Sequence, residues 1–309
     1  MLYAIIDVGS NSIRMTIFRW EDGKVDMLLN KKSMAGLAGY VEKGKLNEAG
    51  IKKCSEEIAS FVKLAKNVEV DGISIIATAS LRNISNLEEV QAALESRCGL
   101  RAQVLTGQEE ARLDFVGASR YLSVDSGVLI DIGGGSTELV LFEKGSIRHL
   151  TSLPIGSLNL YAQYASALFP TEKDRKRMKA RIQKELKAID WLPPTEPVAL
   201  CGIGGTARGF FKICRELYGV PKCQNELDAS YIGQVNKKLK SQDIHEMQSI
   251  FRAVPDRVFT ILPGMMILHQ AAKKFGAQRF LVSKPGLREG YLFDRVLPQV
   301  QVSASNVTD

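Results

Sequence analysis

The feature that most constrains this chain is a short phrase that occurs twice. Residues 7–18 read DVGSNSIRMTIF and residues 131–142 read DIGGGSTELVLF. Asp7 matches Asp131, Gly9 matches Gly133, Ser12 matches Ser136 and Phe18 matches Phe142. An apolar run leads into each copy, so each Asp-x-Gly closes a buried strand at a tight turn.

The surroundings of the two copies also correspond. After Asp7 the pattern predicts strands over IRMTIFRW and KVDMLLNKK, joined at Glu21-Asp22-Gly23. A helix follows over 47–66, then a buried strand over 72–78. Ser85 and Glu88 have capping-box spacing for a helix running to about residue 97. AQVL (102–105) reads as a strand, and Thr106 starts a helix to about residue 122. The pattern then restarts, with three strands from GVLIDIGGG to SIRHLTSL, helices to about residue 191, a strand over 197–205, largely helical sequence to residue 275, a strand over 279–283 and a last helix. The expectation is a duplicated α/β fold: domains at 1–124 and 125–300, a loose tail at 301–309, and a ligand cleft between the domains.

The repeated turn has a chemical reading. Glycines let backbone approach a ligand, and successive N–H groups form a concavity suited to phosphate oxygens. Gly9, Ser10, Asn11 and Ser12 supply one such turn; Gly133, Gly134, Gly135, Ser136 and Thr137 supply the other. Bare carboxylates at Asp7 and Asp131 would repel phosphate. A Mg²⁺ ion between acid and phosphate removes the conflict, because Mg²⁺ takes oxygen ligands and keeps several waters. The two turns therefore read as a metal–polyphosphate clamp, with Asp131 as first metal ligand and Asp7 as second.

These turns resemble the phosphate loops of the actin-like (ribonuclease H-like) ATPase superfamily. Within it the chain is similar to the exopolyphosphatase / guanosine pentaphosphate phosphohydrolase (Ppx/GppA) family, on DVGSNSIRM (7–15), ATASLR (77–82), TGQEEARLDF (106–115), DIGGGSTEL (131–139), GIGGT (202–206) and GLREG (286–290). These stretches stand in the family's order and span nearly the whole chain. The resemblance is to short two-domain members, without the C-terminal helical region of longer ones.

The resemblance gives further residues their roles. Thr106 and Glu109 form a T-x-x-E capping box, which gives Glu109 a structural task. Glu110 lies outside the cap. By itself it reads equally as a first-turn acid favoured by the helix dipole or as a carboxylate placed to orient water. The resemblance implies the second role, with a share in holding the metal. It places Arg82 at the phosphate chain, where a guanidinium fork suits phosphate. It places an acid at Glu138, implicated in metal and water placement. GIGGTA (202–207) fits a dinucleotide fingerprint only weakly; the resemblance makes Gly204, Gly205 and Thr206 a glycine turn bordering the phosphate site. GYVEKGKL (39–46) ends in Leu46 where a P-loop needs a hydroxyl, so a P-loop is rejected.

Composition removes other classes. No run of about eighteen apolar residues occurs; the nearest, Val258 to Leu268, is broken by Pro263 and Gly264. The first residues lack a basic signal-peptide region, and a cytoplasmic protein is expected. Five cysteines without CxxC spacing suggest reduced thiols. His149, His245 and His269 stand in no metal-ligand spacing. Lys and Arg exceed Asp and Glu by 41 to 34. The densest basic stretch, 172–187, carries Met178, Ile182 and Leu186 at helical spacing, so its charges read first as the solvated face of an amphipathic helix. Neither nucleic acid nor membrane is expected as a partner.

The expected activity is Mg²⁺-dependent release of terminal phosphate from inorganic polyphosphate. The near alternative is guanosine pentaphosphate; a kinase and a non-catalytic phosphate or alarmone sensor are more distant. K⁺ as an activator and a homodimer are carried as expectations of the resemblance.

Overall fold

The computed structural model describes residues 1–193, 198–241 and 243–299, so the tail expected at 301–309 lies outside the described residues. The chain divides into two units between Glu109 and Glu110.

The first unit contains β1 (Leu2–Val8), β2 (Ile13–Glu21), β3 (Lys24–Ser33), a small hairpin of β4 (Val41–Glu42) and β5 (Lys45–Leu46), α1 (Glu48–Asn67), β6 (Gly72–Ala77), α2 (Ala79–Arg82), α3 (Leu87–Cys98) and β7 (Ala102–Val104). Its sheet has the order β3-β2-β1-β6-β7. β1, β2 and β3 are antiparallel neighbours; β6 and β7 continue in parallel with β1. Alternate residues of β1 and β2, among them Ala4, Ile6, Val8, Met15 and Ile17, face a core shared with Cys54, Ile58, Phe61 and Val62 of α1 and Val90 and Leu94 of α3.

Helix α4 (Gly107–Ser119) carries the division. The second unit continues with β8 (Gly127–Ile132), β9 (Thr137–Glu143), β10 (Ser146–Leu153), α5 (Ser157–Tyr164), α6 (Glu172–Lys187), β11 (Val198–Ile203), α7 (Gly204–Tyr218), β12 (Glu226–Asp228), α8 (Ser230–Ser241), α9 (Ile244–Ala253), α10 (Ile261–Phe275), β13 (Ala277–Val282) and α11 (Leu287–Tyr291). Its sheet runs β10-β9-β8-β11-β13-β12. Strand alternation gives this sheet two buried faces. Val128, Ile130, Leu139 and Leu141 face one core with residues of α6, α7, α8 and α10. Leu129, Val140, Phe142 and Cys201 face the other, against Ala111, Phe115 and Ala118 of α4. That second contact explains why the division falls at 109/110, earlier than the 124/125 boundary read from the sequence: α4 from Glu110 onward packs on β8 and β9.

The duplication holds at the level of single bonds. Gly9 N–H donates to Ser12 O at 3.1 Å, and Gly133 N–H donates to Ser136 O at 3.0 Å. Ser80 Oγ donates to Val8 O at 2.6 Å, and Thr206 Oγ1 donates to Ile132 O at 3.2 Å. In both units the carbonyls of the turn are taken by the segment after the third strand. Gly36 N–H reaches Asn11 O and Ala38 N–H reaches Ser10 O, both at 2.9 Å; Leu158 N–H reaches Gly134 O, also at 2.9 Å.

Three local expectations change. The capping box at Ser85 does not form: Asn86 is the N-cap without a side-chain cap bond, and its amide instead clamps Leu46, accepting from its N–H and donating to its C=O, both at 2.9 Å. The segment after Thr78, without a predicted helix between the strand over 72–78 and the helix after Ser85, is the single helical turn α2. β12, unpredicted inside largely helical sequence, is an antiparallel edge strand of three residues on β13. All five cysteines are free thiols, and burial pushes Cys54, Cys201 and Cys214 up to about 12.

His269 of α10 lies where α10 packs against α6 and α8. Burial, then Lys273, Lys240 and Lys179, lowers its pKa to about 4, from an ordinary 6.5. Between these values the unfolded chain binds a proton that the folded chain does not, so this group's contribution to stability is lost as pH falls from 6.5 towards 4. Urea unfolding across that range is expected to show stability rising with pH, with a shallower slope in His269→Gln. An unchanged slope would show that His269 takes up its proton equally in both states.

Candidate active site

The second copy of the repeated turn is built by closing every carbonyl inward. Gly133 O accepts from Ser157 N–H at 2.9 Å and from Ser157 Oγ at 3.0 Å. Gly134 O accepts from Leu158 and Asn159 N–H, and Gly135 O accepts from Asn159 Nδ2 at 2.8 Å. The start of α5 sits so close that a Cβ on Gly156 would lie 2.4 Å from Gly134. With the carbonyls held by α5, the backbone N–H groups of Gly134 and Gly135 are the donors this turn has left for an anion. Among the described residues they have no acceptor.

Asp131 and Glu138 are directly opposed across β8 and β9. Directly opposed residues share a sheet face, and alternation puts both on the face of Leu129 and Val140, which α4 covers. Two carboxylates side by side repel unless a cation or donors stand between them. Glu138 is 1% exposed and accepts from Ser152 Oγ at 2.8 Å. Glu110, also buried, lies in the first turn of α4. Phe115 of α4 packs on Phe142, whose strand partner is Gly127 at the start of β8. The capping box beside Glu110 forms as expected: Thr106 N–H donates to Glu109 at 2.9 Å, and Glu109 N–H donates to Thr106 Oγ1 at 3.2 Å.

The glycines of GIGGT are seats for side chains. A Cβ on Gly204 would lie 2.0 Å from Asp131 Oδ1, and one on Gly205 would lie 1.9 Å from Arg257 Nη2. Both glycines are the first residues of α7. Arg257, in the 3-10 turn Pro255–Arg257, escaped the sequence reading. Burial pulls its guanidinium below the ordinary value, while Asp256 and Asp131 draw it back up. It is thus a cation within electrostatic reach of Asp131 and pressed on a glycine turn. Its only sequence signal was a proline-led turn beside acidic Asp256.

Other expected site residues separate. Thr137 is fully buried and donates to Ile155 O at 2.6 Å. Thr206 is 2% exposed and donates to Ile132 O. Both hydroxyl protons brace the turn. Ser136 is buried beside them. In the first unit, Ser10 is buried, Asn11 and Ser12 are half-buried, and Arg82 ends α2 with Nη1 donating to Leu105 O at 3.0 Å. Asp7 has Arg14 as its strand partner, where Asp131 has Glu138. The acid–acid pair suited to a divalent cation is therefore the one in the second unit. Among the described residues, no three His, Cys, Asp or Glu side chains form a group able to hold a metal. Two carboxylates with substrate oxygens and water are still a fitting Mg²⁺ donor set.

Fold and site together define a duplicated actin-like α/β protein with a glycine-rich turn next to paired carboxylates. The model of the Ppx/GppA phosphatase family matches residues 16–299, and the chain belongs to that family. It is 25% identical over 299 residues to a guanosine-5'-triphosphate,3'-diphosphate pyrophosphatase of Photobacterium profundum, covering 95% of this chain and 59% of that protein. The crystal structure of an Aquifex aeolicus Ppx/GppA family member superposes with a TM-score of 0.80 at 30% identity, over 97% of this chain and 98% of the other. A Cytophaga hutchinsonii exopolyphosphatase shares the fold, with a TM-score of 0.83 at 22% identity over 95% and 97%. Among the described residues no helix is long and apolar enough to cross a membrane.

The seat of Asp131 can be tested on stability. Gly204 and Gly219 both have left-handed φ, +72° and +68°, but only Gly204 has anything within 4 Å of a Cβ. Gly219→Ala is expected to cost about 1 kcal/mol in urea unfolding from backbone strain alone. Gly204→Ala is expected to cost at least about 2 kcal/mol, since Asp131 must also move. Equal costs would show that the carboxylate is not seated on Gly204.

Proposed function

We propose that this protein hydrolyses terminal phosphoanhydride bonds, with inorganic polyphosphate as its substrate. The observation that carries the reading is the opposed pair Asp131 and Glu138, on the sheet face covered by the helix whose first turn holds Glu110. The turn Gly133–Ser136 offers backbone N–H groups to phosphate oxygens, and Arg257 adds positive charge beside Gly205. Asp131 and Glu138 would hold Mg²⁺. Mg²⁺ there would offset phosphate charge and polarise the phosphoryl oxygens.

Glu110 takes the proton of the attacking water and holds that water in line with the bridging oxygen. The new bond joins water oxygen to the terminal phosphorus. The bond from that phosphorus to the bridging oxygen breaks, leaving orthophosphate and a chain shorter by one phosphate. Guanosine pentaphosphate is the second reading, favoured by the name of the Photobacterium profundum relative, of whose length this chain spans 59%.

Phosphate release with Mg²⁺ should be followed on tripolyphosphate, long-chain polyphosphate, guanosine pentaphosphate and ATP. Release from polyphosphate is expected, with Glu110→Gln slower by at least about 100-fold at unchanged melting temperature. Release from guanosine pentaphosphate alone would establish the second reading. No release from any of the four would overturn both.

A further inference from the structure

The basic stretch of α6 is more than a solvated helix face. Its acids are paired along the helix: Glu172 with Lys176, Asp174 with Arg177 and Glu185 with Arg181. Arg175, Lys179, Gln183 and Lys187 are left at four-residue spacing, which makes one stripe on a helix. α10 packs along α6 and α8, and neither α8 nor α10 contains an acidic residue. Between α6 and α10 lies a groove of about 370 Å³ lined by Gln183, Leu186, Lys187, Gln270, Lys273 and Lys274. Gln183 Nε2 donates to Gln270 Oε1 at 3.0 Å across it, and Lys274 Nζ donates to Ile189 O at 3.0 Å.

Cations of α6 and α10 lie within electrostatic reach of Lys240 on α8. Burial is the largest influence lowering the pKa of Lys240 on α8, and Lys179, Arg175 and Lys273 lower it further. Like charges gathered from three helices repel, and a bound anion relieves that repulsion. The groove offers ammonium groups and side-chain amides, which suit phosphate oxygens. It offers no open ring for a base, because the nearby Trp191 is already stacked on Phe275 at 5.3 Å and on His149 at 5.9 Å. That favours an all-phosphate anion over nucleic acid.

We propose that the groove between α6 and α10, with Arg175, Lys179, Lys187, Lys240, Lys273 and Lys274, is a second anion site that holds a linear polyphosphate segment. It is distinct from the glycine turn. Gly264, near the start of α10, packs on Thr206 beside that turn. Lys273 is nine residues further on, about 14 Å along the helix. The choice of polyphosphate as occupant rests on the proposed substrate; the charge cluster does not. The site would retain long chains and leave very short ones unaffected.

The test is a binding titration of long-chain polyphosphate on the Glu110→Gln protein, with and without Lys179→Gln, Lys187→Gln and Lys273→Gln together. All three lysines are exposed. The triple variant is expected to bind about tenfold more weakly at low salt, with a log–log salt slope shallower by about 2. It should melt no lower than its parent, since repulsion has been removed. In the Glu110 background, release from tripolyphosphate should be unchanged while KM for long chains rises. A second triple variant, Lys52→Gln, Lys63→Gln and Lys66→Gln on exposed positions of α1, removes the same charge elsewhere. Equal weakening by both triple variants, or by neither, would overturn the site. An oligonucleotide that binds tighter than polyphosphate and is lost in the first variant would overturn polyphosphate as occupant. If no substrate is hydrolysed at all, the hydrolase reading fails, and the titration still decides the groove.

Discussion

The Gly133 N–H to Ser136 O bond, with α5 holding the three glycine carbonyls, is the constraint on which the second unit's site depends. A peptide carbonyl held on one side leaves its neighbouring N–H groups to the other. The same turn ends β8 and begins β9, so it sets the register that opposes Asp131 to Glu138. A slip of one residue would send one of these acids to the apolar face with Ile130 and Leu139. The direction of the turn's N–H groups and the placement of the carboxylates therefore have a single structural cause.

The duplication kept this backbone device and changed its charges. Both units close the turn with the same bond and capture its carbonyls with the segment after the third strand. The strand partner of the aspartate is Arg14 in one unit and Glu138 in the other. An acid opposite a base and an acid opposite an acid give the two turns different local charge. Gly204 and Gly205 extend the contrast by seating Asp131 and Arg257 against bare backbone, so the glycines there serve side-chain packing more than nucleotide recognition.

Much of this was legible in the residues. The paired Asp-x-Gly turns, the meander and the Thr106–Glu109 capping box depend on neighbours within a few positions, and each forms as read. Ser85 and Glu88 had the same capping spacing but no box forms, because buried Asn86 is engaged with Leu46, forty residues away. β12 was invisible because three residues on a sheet edge carry too little periodicity to register. Thr137 and Thr206 stand in glycine-rich segments, and no local pattern shows what their hydroxyls bond. Only the fold shows that their protons go to Ile155 and Ile132.

By itself the sequence determined the α/β class and the repeat, since these rest on local hydrophobic period and on turn chemistry written in consecutive residues; the family came from the resemblance of motifs spread along the chain. Tertiary structure decided which acids stand together, which hydroxyls are already used, and that Arg257 reaches the glycine turn from some fifty residues downstream. It also decided that lysines of α6 and α10 share one groove. The reason is the same throughout. Charge and hydrogen-bond partnership depend on distance in space, and residues far apart in the chain acquire that distance only when the sheet and its helices pack.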